Sequence, residues 1–81
     1  MPRRLRTISG DKLVAHLEKL GFTLVYGKGS HVKLVRFVED EQQVIAFARH
    51  KTIAKGTLKA VYLIALQYVP ESELRGIFYT D

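Results

Sequence analysis

The sequence predicts an α+β domain with one helix, a three-stranded antiparallel meander, a second long helix and a short third one. Three observations carry this. Apolar residues recur at helical spacing over residues 9–20 and again over 56–68. Between them, three runs rich in branched and aromatic residues are separated by short turns built on glycine or on consecutive acids. The chain has 81 residues, 47% of them hydrophobic, which suits a single domain over residues 1–81 with one modest core.

Each element has a local cause. Ser9 can cap a helix that runs to about Leu20, with Gly21 as its stop. Leu13, Val14, Leu17 and Leu20 share one of its faces, and Phe22 can pack back on the last turn. Residues 22–26 alternate as a first strand, and Gly27, Lys28 and Gly29 form a turn. Residues 30–38 read as a second strand, with His31, Lys33, Val35 and Phe37 on one face and Val32, Leu34, Arg36 and Val38 on the other. Glu39, Asp40 and Glu41 turn the chain into a third strand over residues 43–48. Residues 51–55 form a loop. Gly56 and Thr57 open the second long helix, which runs to about Tyr68 with Leu58, Val61, Tyr62, Ala65, Leu66 and Val69 as its core stripe. Pro70 suits the first turn of the terminal helix, whose Leu74, Ile77 and Phe78 pack inward. The two long helices are expected to cover one face of the sheet and leave the other open for a ligand.

Composition narrows the function. The absence of cysteine excludes a disulfide scaffold, a thiolate metal site and a cysteine nucleophile. The stretch from Thr7 to Lys12 is polar where a secretion signal would be apolar, and the run from Ala60 to Leu66 is far too short to span a bilayer. A cytoplasmic location with no membrane partner is the expectation. A formal net charge of +5 favours an anionic partner. Arg3, Arg4 and Arg6 crowd the N-terminus, and Arg49, Lys51, Lys55 and Lys59 form a second block without an acid among them. A solvated face is the plain reading of either block.

Three places could carry chemistry. Lys28, Gly29, Ser30 and His31 combine a tight turn, hydroxyl and amide donors for a phosphate, and an imidazole that moves protons near neutral pH. On its own this signal is weak, because a lone strand histidine is more often structural. Arg49, His50 and Lys51 follow the third strand. A hairpin turn centred on Asp40 and Glu41 sets His50 opposite His31, and a turn shifted by one residue sets Arg49 there, so either register gathers the two places into one basic constellation. The third is the stretch from Lys51 through Lys55 to Gly56, where lysines and free amides at a helix start suit a phosphate backbone or simply face water. Glu39, Asp40 and Glu41 are consecutive and cannot converge on a metal, and His16 lies on the flank of the first helix without a partner near in sequence. No metal or other cofactor is expected. A serine-hydrolase triad is poorly supported, because Ser30 lacks the elbow motif.

Taken in order, these motifs resemble the HicA-like toxins, small ribonucleases of bacterial and archaeal toxin–antitoxin systems. Ser9-Gly10 opens the helix that ends in Leu20-Gly21-Phe22. Gly29-Ser30-His31 stands where the family carries its essential histidine. Arg49-His50 stands where the family usually shows a proline, a variable residue and a histidine, with Ala48 in place of the proline. Lys55-Gly56-Thr57-Leu58 opens the last long helix. The likeness covers roughly residues 8–75; the tail from Gly76 has no clear counterpart, and the second long helix is more apolar than is usual in the family. The resemblance implies a fold like the double-stranded-RNA-binding domain, cleavage of mRNA, and neutralisation by a HicB-like antitoxin.

The expectation is therefore a toxin acting as a metal-independent endoribonuclease, with His31 as catalytic acid or base and His50 as the weaker candidate for the complementary role. Lys28, Gly29, Ser30, Lys33, Arg49, Lys51 and Lys55 would contact the RNA. The rival is a non-catalytic RNA-binding module of the same fold. Leu63 and Ile64 fall outside the core stripe of the second long helix, on opposite flanks. Two readings compete: the tail covers one flank, or the helix serves self-association or antitoxin binding.

Overall fold

The computed structural model describes residues 4–80. In chain order the elements are β1 (Arg4–Leu5), α1 (Gly10–Lys19), β2 (Thr23–Lys28), β3 (His31–Val38), β4 (Glu41–Ala48), α2 (Lys55–Ala65), α3 (Glu71–Phe78) and β5 (Tyr79–Thr80). The α-β-β-β-α order and the antiparallel sheet β2-β3-β4 are those expected from the sequence. The short β1 and β5 were not expected; they pair with each other, Arg4 with Thr80 and Leu5 with Tyr79.

Helix α1 begins where Ser9 Oγ accepts the Lys12 N–H at 3.1 Å. It ends at Gly21, whose φ of 101° continues the chain without a Cβ penalty. There the Gly21 N–H donates to Glu18 O and the Phe22 N–H to Leu17 O. These two bonds close a Schellman motif and bring Phe22 back onto the helix. Helix α2 ends at Ala65, earlier than its apolar stripe suggests, because the bonds of Gln67 to Ile64 O and Tyr68 to Ala65 O tighten the chain into turns. Pro70 sits just before α3, in the N-cap position.

One face of the sheet is covered and the other is not. Val32 and Leu34 of β3, with Ile45 and Phe47 of β4, join Leu13 and Leu17 of α1 and Leu58, Val61 and Ala65 of α2 in one core. Leu74 and Phe78 of α3 complete it. Arg36 lies on this covered side. Its Nε donates to Gln43 Oε1 on β4, its two terminal nitrogens donate to Leu20 O and Tyr68 O, and its guanidinium carbon stands 4.9 Å from the centre of the Phe22 ring. One cation thus satisfies carbonyls where α1 and the turn after α2 end, the ends that carry negative dipole charge.

The tail folds back over α2. Tyr62 stacks at an angle against Phe78 and Tyr79, with ring centres 5.3 and 5.1 Å apart. Ile64 is half-buried against the core, whereas Leu63 remains 52% exposed. No helix among the described residues is long and apolar enough to cross a membrane.

Candidate functional site

The helix-free face of the sheet presents the site. Alternation along β3 turns Val32 and Leu34 inward and leaves His31 and Lys33 exposed on the opposite side. His31 is the first residue of β3, the central strand. Its cross-strand neighbours are Lys28 on β2 and Ala48 on β4, and those of Lys33 are Tyr26 and Ala46. A β-bulge between Leu24 and Tyr26 lets Tyr26 share that face. Gly29, with φ of 60°, and Ser30 make the two-residue turn that joins β2 to β3 immediately before the imidazole.

The expected cross-strand partner of His31 is corrected. His31 faces Ala48, not His50 or Arg49. The cause is the turn. Glu39 and Asp40 both take positive φ, 50° and 69°, and Val38 pairs directly with Glu41. That is the signature of a two-residue type I′ hairpin, so the turn is centred on Glu39 and Asp40 rather than one residue later. His50 consequently lies two residues beyond the position that faces His31.

Arg49 still meets the turn, through its backbone: its N–H donates to the Ser30 carbonyl. Its side chain leaves in another direction, with Nε 3.4 Å from Asp11 Oδ1 at the start of α1. The contact depends on Gly10, because a Cβ at that position would stand 2.7 Å from Arg49 Cα. The Gly10 N–H donates to His50 O at 2.8 Å, which fixes the backbone of His50 while its side chain stays exposed. Sequence reading named Ser9-Gly10 only as a helix start and overlooked Asp11. The signal that was available is an acid in the first turn of a helix, next to a glycine that allows close approach of another segment.

Lys51 is exposed in the loop before α2. Lys55 opens α2, and its ammonium is turned to the chain itself, donating to Leu5 O at 2.9 Å, Arg6 O at 2.8 Å and Thr7 Oγ1 at 3.2 Å. Those three acceptors match the three donors of a lysine. Among the described residues no group of three histidine, aspartate or glutamate side chains is arranged to hold a metal ion.

In comparison with known proteins, a family model described as the HicA toxin of bacterial toxin–antitoxin matches residues 10–67. The chain belongs to the HicA toxin family. The span runs from the first residue of α1 to just past α2, and so contains the sheet, His31 and His50. Comparisons with curated proteins and with solved structures give no match. Membership makes this chain a toxin of a toxin–antitoxin system. The elements β1, α3 and β5 lie outside the span matched to the HicA model, and Phe78 and Tyr79 close over α2.

Proposed function

We propose that this HicA-family toxin is a metal-independent endoribonuclease that cleaves mRNA through His31. The observation that carries the proposal is an exposed imidazole at the edge of a glycine turn, on the helix-free face of a basic sheet, between Lys28 and the small Ala48. RNA supplies its own nucleophile. The 2′-oxygen forms a bond to phosphorus as its proton passes to a base. The P–O5′ bond breaks and the 5′-oxygen takes a proton from an acid, leaving a 2′,3′-cyclic phosphate. His31 serves as one of these two groups, and His50 is the weaker candidate for the other. Lys28, Lys33 and the Gly29 and Ser30 amides offset charge on the phosphorane. Tyr26, beside Lys33 and half-exposed, offers an unpaired base a stacking surface. Lys51 holds the flanking backbone, while Arg49 supports the site through its backbone bond to Ser30 and Lys55 by bracing residues 5–7.

A protein antitoxin of the HicB type is the partner this reading implies, and exposed Leu63 is the residue through which α2 would enter such a contact or self-association. One observation favours the second reading, an RNA-binding module that does not cut: Ala48 rather than a second imidazole faces His31. Incubating the purified chain with RNA, with and without a chelator and beside the His31→Ala variant, decides between them. Cleavage that survives the chelator, leaves cyclic phosphate ends and is lost in the variant supports the nuclease. Retained RNA binding without cleavage in the unaltered chain supports the module.

A further inference from the structure

A second basic constellation lies away from the sheet face. An open cavity of about 300 Å³ is lined by Arg6, Thr7 and Ile8 from the strand-to-helix segment, Lys12 and His16 from α1, and Gly76 from α3. Three of these six are cationic or can become so, and no carboxylate lines the cavity among the described residues. Lys12 and His16 stand one helical turn apart, so their side chains share a face of α1. Arg6 is aimed by its Nε, which donates to Gly76 O at 3.0 Å. The wall behind it is fixed by Lys55, whose ammonium holds Arg6 O and Thr7 Oγ1. Like charges brought together around a concavity raise its positive potential and attract a counter-ion. Burial and then the neighbouring Lys19, Arg6 and Lys12 push the His16 imidazole below its ordinary range, as expected where positive charge is not offset.

We propose that this cavity is a phosphate-binding site separate from His31, taking a phosphate monoester or diester group. Guanidinium, ammonium and imidazole N–H donors around one concavity suit an anion with several acceptor oxygens. The volume exceeds that of a lone ion and admits the group the phosphate is attached to. Arg6, Thr7, Ile8 and Gly76 fall outside the span that matches the family model, whereas Lys12 and His16 fall inside it. The site is thus assembled where the terminal segments meet the span matched to the family.

The test is a titration of the full chain with inorganic phosphate against chloride at matched ionic strength, followed residue by residue by NMR. The expected result is saturable shifts confined to residues 6–8, 12 and 16, with the His16 titration midpoint rising as phosphate binds. Lys12→Ala, at an exposed helix position, should keep the fold and weaken binding about tenfold. Lys59→Ala, on α2 and outside the cavity, should leave binding unchanged. Shifts that stay linear in phosphate, or that are the same in Lys12→Ala, overturn the proposal. The source of the phosphate is read by competition with a 2′-O-methylated RNA oligomer that resists cleavage. Displacement only by the 5′-phosphorylated oligomer identifies a chain end, displacement by both forms identifies the RNA backbone, and displacement by neither identifies a small phosphate ester. The outcome does not depend on His31, so a failed cleavage assay leaves it standing.

Discussion

His31 and Ala48 face each other across the β3–β4 ladder, so the imidazole looks onto a methyl group rather than onto a second titratable side chain. The small neighbour leaves room above the strand and supplies no packing that the imidazole would lose. His31→Ala should therefore lower cleavage by ~10²–10⁴-fold and change stability by less than about 0.5 kcal/mol. Single-turnover kinetics and urea denaturation of the same preparation measure the two effects. Unchanged kinetics would remove His31 from the chemistry.

Gly10→Ala tests how the Arg49 segment is placed. The new methyl group would meet Arg49 backbone, which cannot swing aside like a side-chain tip. A cost of about 1–3 kcal/mol is expected, as for other overpacked sites. Displacing Arg49 also pulls on the Ser30 carbonyl next to His31, so activity should fall further than in His50→Ala. Equal activity in the two variants would argue that this backbone link does not serve the site.

Arg36→Met keeps much of the side-chain length and removes the donors. It strands the Leu20 and Tyr68 carbonyls and the Gln43 amide oxygen together. A loss of about 2–3 kcal/mol is expected, with the effects of the three bonds not additive. The midpoint of chemical denaturation reads it directly.

Lys51 and Lys55 should part company in salt dependence. Lys51→Ala should reduce the slope of RNA affinity against salt by about one unit if its ammonium meets one phosphate. Lys55→Ala should leave that slope nearly unchanged and lower the melting temperature, because its ammonium is engaged with residues 5–7. A large slope change from Lys55→Ala alone would mean that the ammonium leaves those acceptors for RNA.

The pH dependence follows from His16. Its pKa in the folded chain is lowered, by burial first and then by Lys19, Arg6 and Lys12, so the unfolded chain binds the proton more readily. Stability must then rise with pH across the interval between the lowered value and the ordinary histidine value of 6.5. Below that interval both states are protonated and the penalty is constant; above it both are neutral and it vanishes. His16→Gln should flatten this part of the curve in phosphate-free buffer. Denaturation curves collected across the interval are the measurement.

The layers were legible because they rest on strong local signals. The Leu13, Val14 and Leu17 stripe, the glycine stop before Phe22 and the alternation that separates His31 and Lys33 from Val32 and Leu34 all point the same way. The hairpin register was not, because Glu39 and Asp40 occupy left-handed positions that glycine or asparagine usually fills, and so give no marker of where the turn is centred. Arg36 was assigned to its correct face, yet its partners come from α1 and from the turn after α2, which no spacing on a strand can announce. The engagement of Lys55 was hidden for the same reason: its acceptors lie 48–50 residues away in sequence.

The β1–β5 pairing has a consequence for chain entropy. Joining Arg4 to Thr80 closes a loop of more than seventy residues, yet among the described residues two pairs face each other there. So short a ladder is marginal without outside support, and the Tyr62 contacts with Phe78 and Tyr79 provide it. This clasp is thus the natural first point of fraying, with amides that exchange before those of β3 and β4. When it opens, Arg6 loses the N–H bond to Phe78 O and the guanidinium bond to Gly76 O and keeps the bond of its carbonyl to Lys55. The domain can in this way shed one wall of its helix-side cavity while the sheet that bears His31 stays folded.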